Sequence, residues 1–112
     1  MEVEIITTNC FGGSFPSTEK LSVFNDLIQV DTLDGKFEVP ISGCEARITI
    51  KADSYVNAFI GACALAVKGT VQVLVKDRQI TCVGLEGSRF RAECRGLHLQ
   101  APKGLAGDKE EA

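Results

Sequence analysis

Ala52-Asp53-Ser54-Tyr55-Val56-Asn57-Ala58-Phe59-Ile60-Gly61-Ala62-Cys63-Ala64-Leu65-Ala66-Val67-Lys68-Gly69 is the stretch on which the fold turns. It reads as a nearly all-apolar, small-residue helix over about 53–68, capped by Asp53. Plotted at about 100° per residue, Asp53, Asn57, Gly61, Ala64 and Lys68 share a narrow stripe, with Tyr55, Phe59, Cys63 and Ala66 opposite. Such a helix packs on a sheet over most of its circumference. Its stripe of small and polar residues faces water or lets another backbone approach at Gly61 and Ala64.

Everything around this segment reads as strand. Glu2 to Thr8 alternates and is β-branched, and Phe11 to Ser17, with two glycines and a proline, reads as a loop. Thr18 to Asn25 is ambiguous between strand and short helix, with a slight lean to helix. Asp34-Gly35 marks a two-residue hairpin turn, which pairs Thr32 with Phe37, Val30 with Val39 and Ile28 with Ile41. A third strand buries Cys44, Ala46, Ile48 and Ile50 and exposes Glu45, Arg47, Thr49 and Lys51. Beyond the helix, a turn at Asp77-Arg78 pairs Val75 with Ile80, Val73 with Cys82 and Val71 with Gly84. A loop at Glu86-Gly87-Ser88 then pairs Gly84 with Phe90 and Cys82 with Ala92, so inward residues stay inward over three strands. Past Gly96 a short Leu-His-Leu-Gln coda follows.

The expected class is therefore α+β: mainly antiparallel β, about six to eight strands, barrel-like or two-layer, with one central helix between two meanders. The element order also fits a barrel of the oligonucleotide-binding type, with the helix closing its bottom. Residues 1–100 form a single globular domain and 101–112 a polar, flexible tail.

At 112 residues, 45% hydrophobic and 24% charged, the composition is that of one ordinary globular domain. No secretory leader or membrane-length apolar run is visible, and the five cysteines are an odd number without an extracellular signature. These features predict mostly free thiols and a cytoplasmic location, in the cell interior or an assembled particle.

Catalytic and cofactor signatures are thin. His98 is the single histidine, so Ser-His-Asp or Cys-His chemistry would run through it. Cys10, in a glycine-flanked loop, is the best nucleophile if a thiol enzyme is at hand, but it lacks a Cys-x-x-Cys partner. Cys94-x3-His98 with Cys82 supplies part of a zinc set, short of the four convergent ligands of a structural site. The acidic residues are accounted for by turns, caps and outward faces, and neither a phosphate loop nor a calcium loop is present. The expectation is a non-catalytic protein with no cofactor and no metal, a thiol- or zinc-dependent small enzyme being the second alternative.

Charge is the remaining clue. Residues 1–67 carry four Lys/Arg against nine Asp/Glu, whereas residues 68–95 carry six against three. Lys76, Arg78, Arg89, Arg91 and Arg95 thus form a basic ribbon on a chain of net charge −3. As a phosphate track this ribbon suggests nucleic-acid binding, but its face holds no aromatic for base stacking, Tyr55 being assigned to the helix. The preferred expectation is a structural module that self-associates or docks into a viral or other multi-subunit assembly. One copy's acidic half would meet another's basic ribbon around an apolar centre of Leu74, Val83 and Leu85, with Asn57, Gly61 and Ala64 as a second contact strip. The partners expected are further copies or another protein, with nucleic acid as the alternative and no membrane.

Overall fold

The computed structural model describes residues 1–8, 12–61, 63–85, 87–92, 98–100 and 110–111, and every regular element in them is a strand. In chain order these are β1 (Glu2–Thr7), β2 (Gly12–Phe15), β3 (Thr18–Val23), β4 (Leu27–Thr32), β5 (Gly35–Pro40), β6 (Ala46–Ile60), β7 (Cys63–Lys76), β8 (Gln79–Gly84), β9 (Arg89–Ala92), β10 (His98–Gln100) and β11 (Glu110–Glu111).

The stretch expected to be the central helix is instead the distal half of a long β6–β7 hairpin, paired from Ala46↔Val75 to Ile60↔Cys63. The α+β expectation is thereby corrected to an all-strand half-barrel sheet. The physical reason is period. Ala58, Ile60, Cys63, Leu65 and Val67 are buried, while Phe59 between them and Asn57 and Lys68 at either end are exposed and Ala64 and Ala66 are half-buried, which is alternation by two and not by three or four. Gly61, at φ 64°, supplies the left-handed residue of the hairpin turn, and its N–H donates to the Val23 carbonyl at 2.6 Å. The helical stripe of Asn57, Gly61 and Ala64 therefore does not exist.

Midway, the hairpin bends. Between Ala52↔Gly69 and Val56↔Val67, three residues of β6 (Asp53, Ser54, Tyr55) stand against Lys68 alone on β7. Two extra residues preserve the alternation, so the buried side stays buried while the strand changes direction. Asp53 is an exposed bulge residue and not a helix cap. Gly69 lies across from the bulge at φ 90°.

Each half of the hairpin carries its own strands. In the first, β1 pairs with Ala46–Lys51 of β6, β2 pairs with β1, β8 pairs with β7, and β10 lies parallel to β8. In the second, β3 runs parallel beside the tip of β6, β4 and β5 follow antiparallel, and β9 pairs with Leu65–Lys68 of β7. The inner faces close on one core, to which Ile5, Ile48 and Val73 contribute from the first half and Leu21, Ile28 and Leu65 from the second. Burying side chains of this kind supplies roughly 1.5–3 kcal/mol each.

Four further expectations are corrected. Residues 18–23 are strand and not a short helix, and Gly12–Phe15, expected as loop, is a strand on β1. The β4–β5 turn is Leu33-Asp34, so Thr32 faces Gly35 and Val30 faces Phe37, two residues from the expected register. β9 does not fold back on β8. The two run in line along the same side of β7, interrupted only where Gly69 bends it, so Phe90 faces Val67 and Ala92 faces Leu65. The β7–β8 register, the first strand and the Ala46–Lys51 alternation agree with the sequence reading.

Candidate functional site

The in-line arrangement of β8 and β9 divides the residues singled out from the sequence. Leu74 and Val83, half-buried, and Lys76, exposed, lie on the outer face of the first half, with Leu85 at the bend. Arg89 and Arg91 lie on the outer face of the second half, opposite Lys68 and Ala66, with Asn57 and Ala64 in the adjoining rows. Gly61 sits at the hairpin tip. Arg78 is at the far end of the first half, in a turn where it and Asp77 hold φ of 64° and 51°. There it borders an open polar cavity of about 660 Å³ with Asp26, Cys44 and Glu45. Arg95 lies outside the described residues.

On the second half's outer face the structure brings together side chains that the sequence kept apart. The Arg91 guanidinium stands 5.0 Å from the Tyr55 ring centre and the Lys20 ammonium 5.6 Å from that of Phe59, distances at which a cation is attracted to the ring face. Lys68 and Arg89 lie beside them, so two exposed aromatics stand among four cations, while at the other edge of β9 the strand β11 sets Glu110 in register with Arg91. The expectation that the basic ribbon lacks aromatic neighbours is therefore corrected, because it depended on placing Tyr55 on a helix. Alternation through Val56, Ala58 and Ile60 was the signal that could have put Phe59 outward.

A second grouping lies where the half-barrel stays open. β2 and β5, each paired on one side among the described residues, approach through the Phe15 and Phe37 rings, 5.4 Å apart and tilted at 47°. Leu33 in the β4–β5 turn is 71% exposed and Phe37 is 42% exposed. The two-residue error in turn register is what hid this site, since it set Phe37 against Thr32 and made Leu33 a strand end.

The cysteines differ among themselves. Cys63 is disulfide-bonded, which corrects the expectation of free thiols at that position, whereas Cys44 and Cys82 are free. Cys10 and Cys94 lie outside the described residues, as does the side chain of His98, so the thiol candidate and all of the zinc set but the buried Cys82 fall there too. Among the described residues no three His, Cys, Asp or Glu side chains converge as a metal site, and no helix is long and apolar enough to cross a membrane. Burial pushes the Cys82 thiol up to about 12 from an ordinary value of 9.0, the opposite of what a nucleophile needs. The unfolded chain gives up this proton near pH 9 while the fold keeps it, so the contribution is whole below pH 9 and is lost as pH rises toward 12. We expect urea titrations to lose on the order of 1 kcal/mol of stability per pH unit above that point, and Cys82→Ala to flatten the slope. Equal slopes in both proteins would refute this account. No known family, curated protein or solved structure shows a significant match to this chain.

Proposed function

We propose that the chain is a non-catalytic structural module that works by associating with copies of itself or docking onto a protein partner. The observation that carries this reading is the open seam: a sheet left unclosed among the described residues, whose terminal strand β5 carries the exposed Phe37 and follows a turn with the exposed Leu33, large apolar residues that water solvates poorly. Open strand edges of this kind recruit further strands, which supports assembly over catalysis. Light scattering on the full chain at low and high salt is expected to give a mass above that of the monomer. A monomer at both salts and at every concentration would overturn the reading.

A second reading draws on the basic, aromatic-dotted outer face. Lys20, Lys68, Arg89 and Arg91 beside Tyr55 and Phe59 combine phosphate-attracting charge with ring faces on which bases stack. Salt-sensitive retention of single-stranded DNA, weakened when Arg89 and Arg91 become Ala, would favour it. The expectation of a cytoplasmic location is supported by the free thiols of Cys44 and Cys82 and opposed by the disulfide at Cys63, which suits an oxidising compartment.

A further inference from the structure

We propose that the chain forms a two-fold dimer by antiparallel pairing of β5 with β5 of a second copy, in the one register that sets Lys36 against Glu38. The inference deepens the self-association reading and rests on it.

The backbone fixes which groups are available. The Ile41 N–H donates to the Asp26 carbonyl at 3.0 Å, continuing the β4–β5 ladder by one step beyond Leu27↔Pro40. Hydrogen-bonded positions in an antiparallel pair alternate, so Val39, Phe37 and Gly35 also turn their N–H and C=O toward β4. Lys36 and Glu38 turn theirs outward, to an edge that has no strand on it among the described residues. Pro40, next in that row, has no N–H and ends the ladder. At the other end the Asp34 N–H is taken by the Thr32 hydroxyl at 3.0 Å. The free edge is thus two residues long in its donors, and a partner strand must centre on Phe37.

Side-chain charge then selects the register. Centred on Phe37, antiparallel pairing sets Lys36 opposite Glu38 of the second copy, and Glu38 opposite its Lys36, with the two phenylalanines facing across the axis. A shift of two residues either way sets Lys36 on Lys36 or Glu38 on Glu38, and like charges directly opposite are destabilising. Glu38 is already steadied by the Gln29 amide at 3.2 Å, on the same outer face. On the opposite face Phe37 lies against Phe15, so two such pairs would meet at the axis and cover apolar surface that is now exposed. The contact is isologous, as two-fold dimers require, and it uses the β5 edge of both copies at once.

Charge reversal tests this without touching the core. Lys36→Glu and Glu38→Lys each set like charges opposite, so each variant alone is expected to show a dimer dissociation constant raised on the order of tenfold to a hundredfold. An equimolar mixture of the two restores unlike pairs at every position and is expected to recover the dimer mass by light scattering. The double variant is expected to dimerise as the natural chain does. Thermal unfolding, monitored in parallel, is expected to stay within a few degrees, because both side chains are exposed. If the natural chain is oligomeric and both single variants remain so, the β5 contact is wrong while self-association stands. If the natural chain is monomeric throughout, both fall.

Discussion

Gly69→Ala is expected to lower stability by on the order of 3–5 kcal/mol, a large share of what a domain of this size possesses. Two effects add. At φ 90° an L side chain is strained by its own carbonyl, and a Cβ at this position would stand 2.9 Å from the Ser88 Cα and 3.2 Å from the Gly87 carbonyl oxygen. Both contacts are backbone, which cannot rotate away. Gly87→Ala separates the two effects: its φ of 86° imposes similar strain, but a Cβ there meets nothing within 4 Å. We expect Gly87→Ala to cost roughly 1–2 kcal/mol, and the difference between the variants to measure the close approach of the two chain segments. Chemical denaturation of both, with the natural chain, gives the comparison. Equal losses would mean that the bend does not depend on this contact.

The second large effect lies on adjacent residues of β6. Ile60→Ala is expected to cost about 2–5 kcal/mol, since the side chain is fully buried in the shared core and its removal leaves a cavity. Phe59→Ala, one residue earlier and 42% exposed, is expected to cost under about 1 kcal/mol despite deleting a larger group. A strand demands such a contrast between neighbours. The helix first read over this segment makes no such demand, because it places Phe59 on the packed side with Ile60 beside it. Paired urea titrations therefore decide between the two conformations in solution, and comparable losses at both positions would contradict the hairpin.

Why that helix was legible where none exists has a physical answer. Alanine and glycine carry little side-chain information, so Ala58, Ala64 and Ala66 fit a helix face and a strand face equally. The decisive alternation rests on Ile60, Leu65 and Val67, and Gly61 interrupts it just where a turn belongs. Where the apolar residues were larger and β-branched, as in Ile48 and Ile50 or Val71, Val73 and Val75, the period of two was unambiguous and the register of β7 with β8 followed from it. The misplacement of β9 has another cause. A sequence reading pairs neighbours in sequence, and nothing in Leu85 to Ser88 announces that β7 runs on past Gly69 to receive a second partner. The candidate surfaces inherited these errors. The sequence marks Arg89 and Arg91, but a helix over 53–68 withholds Tyr55 and Phe59 from them, and the significance of Lys36, Phe37 and Glu38 depends on β5 ending the sheet among the described residues.

The β6–β7 hairpin has one more implication. Because the same two strands run through both halves, neither half owns a complete set of backbone partners, and neither would survive excision. The molecule must gain and lose order as one unit, and β1 must find β6 across some forty intervening residues before the first half exists. Closing loops of that length early makes folding slow relative to a helical protein of equal size. While it proceeds, the Ala58–Val67 segment, free of acidic residues and rich in strand-forming side chains, stands uncovered. Yield in refolding should therefore fall steeply with protein concentration, the tip of the hairpin being the segment most in need of rapid capture by β3 and β9.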